Sequence, residues 1–167
     1  GDGDGSPVTQ TYTVTVTGAD DPATLGTVTP ATIAEVDQSS TTTDAGLAGT
    51  LVGADVDVET LTYGIDGGTA GSTGTVSKTG TIGTLTVNTS SGAYTFTKNT
   101  AAIEALDAGE SGTDTFTMTV GDGDGDLITR TYTVTVTGAD DPATLGTVTP
   151  ATIAEVDQSA TTTDVGL

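Results

Sequence analysis

The chain predicts an all-β fold, an antiparallel β-sandwich of about seven to nine strands with one short helical turn, repeated in tandem. Three observations predict it. Threonine, 42 of the 167 residues, alternates with apolar residues in runs such as AYTFTK (93–98), TFTMTV (115–120) and TYTVTVT (131–137). Period-two alternation gives a strand one apolar face, and Thr, Val, Tyr and Phe suit a pleated, half-buried surface. Gly, Asp, Asn and Pro punctuate these runs at short intervals, as a sandwich of short strands requires. A repeat of 120 residues is a comfortable size for one sandwich.

In chain order, strands are expected after the linker GADDPA (18–23) at 25–28 (LGTV), 31–36 (ATIAEV), 48–54 (AGTLVGA), 60–65 (TLTYGI) and 73–77 (TGTVS). Four more follow at 81–88 (TIGTLTVN), 93–98, 113–120 (TDTFTMTV) and 127–137 (LITRTYTVTVT). Between the seventh and eighth of these nine strands lies NTAAIEALDAGE (99–110), where Ile103 and Leu106 stand three apart behind an Asn/Thr start; this predicts one or two helical turns. Alternation assigns the core to Leu51, Leu61, Tyr63, Leu85, Val87, Tyr94, Phe96, Phe116, Met118, Val120, Ile128, Tyr132, Val134 and Val136. With no Trp and six Tyr or Phe in all, each at an alternating position, the aromatics read as core and not as a carbohydrate platform.

Residues 1–47 and 121–167 align without gaps and differ only at Ser6/Asp126, Pro7/Leu127, Val8/Ile128, Gln10/Arg130, Ser40/Ala160 and Ala45/Val165. A fixed period of this kind is the signature of a repeat architecture. It divides the chain into 1–20, the C-terminal hairpin and last strand of a preceding repeat; 21–140, one complete sandwich; and 141–167, the start of the next. Further copies are expected beyond both ends.

Acids outnumber bases 23 to three, and the bases are Lys78, Lys98 and Arg130. Such a charge disfavours nucleic acid and anionic membrane, and it strains the compact state by self-repulsion unless cations are supplied. No apolar run is long enough to cross a membrane. The chain has no Cys and no His, which removes disulfides, thiolate and imidazole zinc sites and the usual nucleophile–His pairs. Carboxylate and carbonyl oxygens remain, and these hard ligands suit Ca²⁺.

An immunoglobulin-like strand order would gather the acids at the two poles of the sandwich. Asp20 and Asp21 in the linker, Asp55, Asp57 and Glu59 in ADVDVE (54–59), and Asp122, Asp124 and Asp126 in GDGDGD (121–126) would meet at one. Glu35 and Asp37 after an early strand, Asp107 and Glu110, and the next linker's Asp140 and Asp141 would meet at the other. In GDGDG, glycine permits positive φ and close carbonyl approach while Asp supplies charged oxygens; the same dipeptides also make hairpin turns. An EF-hand does not fit, because the sixth position from Asp122 is Leu127 and the twelfth is Thr133, where Gly and Glu are required. Calcium-binding nonapeptides in tandem are absent as well.

AYTFTKNTAAIEALDAGESGTDTFTMTVGDGDG, followed by TYTVTVTGADDPA, resembles the VCBS-type, cadherin-like repeats of giant bacterial RTX adhesins over most of residues 31–142. Cadherin-like repeats carry an acid in the first strand, a DxD, an LDxE-like segment, a DxG and an acidic linker. Glu35, Asp55 with Asp57, LDAGE (106–110), Asp122 and GADDP (138–142) stand in those places. The linker departs from the pattern at Gly138 and Pro142, and LDAGE is one residue longer. The resemblance implies a non-enzymatic extender: a secreted repeat at the bacterial cell surface, rigidified by several Ca²⁺ ions at its junctions with neighbouring repeats of the same chain, projecting a distal binding domain for adhesion and biofilm formation. The alternative is a filament, sheath or surface-layer subunit that self-associates laterally or head to tail. Acid pairs that recur at junctions with the repeat period do not resemble the carboxylate pair of a glycosidase cleft.

Overall fold

The computed structural model describes residues 3, 5, 7–155 and 162–165. Its strands are β1 (Thr24–Leu25), β2 (Ala31–Glu35), β3 (Thr42–Ala45), β4 (Ala48–Thr50), β5 (Gly53–Ala54), β6 (Thr62–Ile65), β7 (Thr69–Ala70), β8 (Thr75–Thr79), β9 (Gly83–Asn88) and β10 (Ala93–Lys98). A single helical turn, α1 (Thr100–Ile103), precedes the long β11 (Ser111–Gly121) and β12 (Leu127–Thr137), and β13 (Thr152–Glu155) and β14 (Thr162–Val165) follow. Two five-stranded sheets, in the orders β4-β10-β9-β8-β7 and β3-β2-β12-β11-β6, make an all-β sandwich; β1 pairs with β5 in a small ribbon beside them. All neighbours are antiparallel except β2 and β12, which run parallel with Val134 opposite Ala31 and Val136 opposite Ile33.

Alternation builds the core between the sheets. Leu85, Val87, Tyr94 and Phe96 enter it from one side, and Ile33, Phe116, Met118, Val120, Tyr132, Val134 and Val136 from the other. Edge-to-face contacts join them: Tyr94 meets Tyr132 at 5.3 Å between ring centroids, and Phe96 meets Phe116 at 6.0 Å. Leu61 and Ile128, expected inside, only pack against this core, while Ala23, Leu25, Ala31, Ile65, Ile82 and Ile103 join it.

The strands differ from expectation where pairing outweighs pattern. β3 and β7 were not foreseen, because TTDA and TA carry no apolar alternation; both lie at sheet edges and are recruited by their neighbours. The expected strand 48–54 is two strands, since β4 joins β10 while β5 joins β1, and the buried Leu51 marks the crossing. The helical stretch shrinks to α1.

Residues 7–17, nearly identical to β12, are not assigned to a strand, and most of the turn of the hairpin expected in 1–20 lies outside the described residues. Residues 1, 2, 4 and 6 lie outside the described set, as does 156–161. In the central repeat the corresponding residues are β12, held between β11 and β2. At the other end β13 and β14 reproduce the β2–β3 register, with Ile153 opposite Asp164 as Ile33 is opposite Asp44.

Three polar contacts fasten the sandwich. Lys98 on β10 reaches across to β3, donating to Asp44 at 2.6 Å and to the Thr42 hydroxyl. The Tyr132 hydroxyl donates to the Gly46 carbonyl at 2.8 Å, and burial pushes its pKa up to about 12. Asp114, buried on β11, accepts from the backbone N–H groups of Thr81 (2.8 Å), Ile82 (2.8 Å) and Gly83 (3.2 Å). Gly80 lies against that carboxylate, with no room for a Cβ. Asp114→Ala strands three backbone donors and is expected to cost about 3 kcal/mol in urea unfolding, with Asp114→Asn losing less.

Candidate metal centre

At one pole, the turn between β11 and β12 begins with Asp122, which is buried. Its Oδ2 accepts from the Ala23 N–H at 2.9 Å and its Oδ1 from the Asp124 N–H at 3.2 Å. These backbone donors, Ala23 first, hold the Asp122 carboxyl below its ordinary value. The bond to Ala23 ties the incoming linker to the turn. Gly123 and Gly125 have φ of 117° and 113°, so GDGDGD turns in a conformation that suits glycine.

The loop after β5 reaches the same pole. Asp55 Oδ1 accepts from the Asp57 N–H at 2.7 Å, and Val58 takes a φ of 61°, a strained conformation for a β-branched residue. Asp57 Oδ2 accepts from the Asp21 N–H at 2.9 Å and fixes the linker a second time. The outcome is a group in which carboxylate oxygens of Asp20, Glu59 and Asp124 all lie within 4.8 Å of one another. Desolvation first, then the charges of Asp124 and Asp122, raises the pKa of Asp20; desolvation, then Asp124 and Asp20, raises that of Glu59.

The opposite pole holds a second group with the same spread: Glu35 at the end of β2, Glu104 directly after α1, and Asp141 in the outgoing linker. The linker is again fastened by hydrogen bonds. The Ala139 N–H donates to Glu35 Oε2 at 3.1 Å, the Gln38 N–H to the Asp140 carbonyl at 2.7 Å, and Gln38 Nε2 to Asp140 Oδ2 at 2.6 Å. Desolvation, then Asp141 and Glu35, raises the pKa of Glu104.

Of the fourteen acids expected at the two poles, Asp20, Glu59 and Asp124 meet in one group and Glu35 and Asp141 in the other, and Asp37 belongs to neither. Asp21, Asp55, Asp57 and Asp122 stand at the first pole, where the hydrogen bonds just described shape the loops. Asp140 is engaged by Gln38. Asp126 belongs to neither group. Asp107 and Glu110 also stay outside both, closing a turn on each other through the Asp107 N–H to Glu110 Oε2 bond at 3.1 Å. Glu104 takes their place. Its only sequence signal was its position one residue after Ile103, the buried anchor of α1.

These groups can hold a metal ion. Oxygens 2.3–2.6 Å from one Ca²⁺ lie at most about 5 Å apart, which the observed spread of 4.8 Å satisfies. Glu35 Oε1, Glu104 Oε1 and Asp55 Oδ2 are buried atoms with no hydrogen-bond partner among the described residues. Desolvated carboxylate oxygens without donors are costly, and a cation would satisfy them. No family model and no curated protein matches the chain.

The raised pKa values make the folded state bind protons more tightly than the unfolded chain at Asp20, Glu59 and Glu104. Their stabilisation is therefore present below the unfolded values and is lost as pH rises through the folded ones. In chelator, the melting temperature is expected to rise as pH falls from 7 towards 4.5, the ordinary Glu value. It should drop below 3.8, where Asp44, held low by Lys98 and Thr42 against its desolvation, and Asp122 take up protons. With calcium present the upper part of the profile should invert, because protons then compete with the ion. Glu104→Gln should raise the metal-free melting temperature and weaken calcium binding about tenfold in calorimetry, whereas Glu110→Gln should change neither.

Proposed function

We propose that this chain is part of a tandem array of β-sandwich extender repeats, stiffened by Ca²⁺ at each junction and exported to the surface of a bacterium, where the array projects a distal binding domain for adhesion and biofilm formation. One observation carries the reading. By the repeat, Asp20 and Asp21 are the counterparts of Asp140 and Asp141. Asp20 belongs to the acidic group of the sandwich that follows its linker, and Asp141 to the group of the sandwich that precedes its linker. A linker between two complete repeats therefore brings one aspartate to each of two facing acidic groups.

Six residues, 138–143, separate the end of β12 from the counterpart of β1, a span of at most about 25 Å, so the groups face each other across a short gap. Without cations their like charges repel and the joint bends. Calcium, taking 6–8 oxygens from both repeats and the linker, turns that repulsion into cross-bridging. Extracellular calcium favours the rigid state, and a calcium-poor cytosol leaves the chain pliant before export. The resemblance to RTX adhesin repeats supports the same reading independently of the geometry.

Small-angle scattering on three repeats of residues 21–140 in tandem tests it. A rod of constant length in calcium that becomes a flexible chain in chelator, with a large fall in melting temperature, is the expected result. Shape and stability that ignore the chelator would remove the calcium joint and with it this reading.

A further inference from the structure

We propose that Asn88 is an acceptor for N-linked glycosylation, taking a sugar from a phosphate-activated donor onto its side-chain nitrogen. The chain holds two asparagines, Asn88 and Asn99. Asn88-Thr89-Ser90 has the acceptor pattern, an Asn with a hydroxyl residue two places on and no Pro between them. Asn99-Thr100-Ala101 lacks the hydroxyl. In a chain so rich in Thr the pattern alone arises easily, and what singles out Asn88 is its setting.

Asn88 ends β9, whose Leu85 and Val87 enter the core while Thr84, Thr86 and Asn88 lie on the outward face. The turn that follows fixes its amide. Asn88 Oδ1 accepts from the N–H groups of Ser90 at 3.1 Å and Ser91 at 2.9 Å. An amide nitrogen cannot accept, so two donors converging on one atom identify it as the oxygen. Nδ2, at the other end of the planar amide, donates to no group among the described residues, and the hydroxyl of the exposed Ser90 is equally free. Between them Thr89 is pinned, its N–H and its hydroxyl both donating to the Gly74 carbonyl, at 2.9 and 3.0 Å. A turn of this kind uses only the Asn oxygen; the free nitrogen and the free hydroxyl two residues on are not part of it. Asn99 differs, since it precedes α1 and its Nδ2 donates to the Thr81 carbonyl at 3.5 Å.

In the transfer Nδ2 loses one proton and bonds to C1 of the sugar, while the bond from C1 to the phosphate oxygen breaks and the nucleoside or lipid diphosphate leaves with the electron pair. No oxidant or reductant is required. The surroundings leave room for the product, because the outward residues near Asn88, among them Ser77, Thr84, Thr86 and Thr95, are small and uncharged. None of the 23 acids lies in the five strands of this sheet, so charge repulsion between copies is weakest over it. A bulky, hydrated glycan supplies a barrier there by other means. The site needs no calcium and stands apart from the proposed joint.

Lys78 and Lys98 flank the site, so trypsin releases residues 79–98 with Asn88 as their sole asparagine. In protein purified from the organism that makes it, fragmentation of this peptide by electron transfer should place a sugar on Asn88 that survives alkaline β-elimination. Ser90→Ala removes a hydroxyl that bonds nothing and keeps the turn, whose donors are backbone groups. Made in the same organism, it should lose the modification completely while its melting temperature and calcium binding stay unchanged; Asn88→Gln should lose the modification as well. Single hexoses identify a nucleotide-activated donor and a preassembled oligosaccharide a lipid-linked one, and either upholds the acceptor. A bare wild-type peptide, a sugar on Thr or Ser that β-elimination removes, or a sugar retained on Asn88 in Ser90→Ala would each overturn the proposal.

Discussion

The position of β12 between β11 and β2 carries the architecture. Through β11 it continues to β6, and through its parallel pairing with β2 it reaches β3, so one strand fixes the order of an entire sheet. Its inward residues, Tyr132, Val134 and Val136, are fully buried, and the Tyr132 ring meets Tyr94 of the opposing sheet while its hydroxyl holds Gly46. The same strand sets the distance between the acidic poles, because the turn at Asp122–Asp126 enters it and the linker with Asp140 and Asp141 leaves it. Core, sheet order and site geometry are consequences of one slot being filled.

Two kinds of aspartate and glutamate share this fold, and their hydrogen bonds separate them. Asp114 and Asp122 are buried and satisfied by backbone N–H groups, which makes them organisers of a turn and of a linker. Glu35 and Glu104 keep buried oxygens without donors, beside other carboxylates and close to no lysine or arginine in an ion pair among the described residues. The first kind is complete as it stands. The second is electrostatically frustrated, and a bound cation would relieve it.

Much of this was legible beforehand. Alternation fixed the inward faces of β9, β10, β11 and β12, because a strand with one buried face leaves a period of two in the residue types. The acids of GDGDGD, ADVDVE and the linker could be assigned to a common pole because strand order alone brings those loops together. Glu104 could not be read in the same way. It follows a four-residue helical turn whose direction depends on how Ile103 seats in the core, and LDAGE nearby offered a more conspicuous acidic pattern that closes on itself.

The chain by itself determined the all-β class, the repeat, the inward faces and the chemistry of its ligands, since alternation, period and the lack of His and Cys are local or compositional properties. The tertiary structure alone decided which acids meet. Glu104 joins Glu35 and Asp141, while Asp107 and Glu110 close a turn on each other. Glu104, Asp107 and Glu110 are carboxylates of one stretch of chain, so composition and spacing treat them alike; the difference is that the seating of Ile103 in the core sets where Glu104 stands, which only the packed sandwich determines.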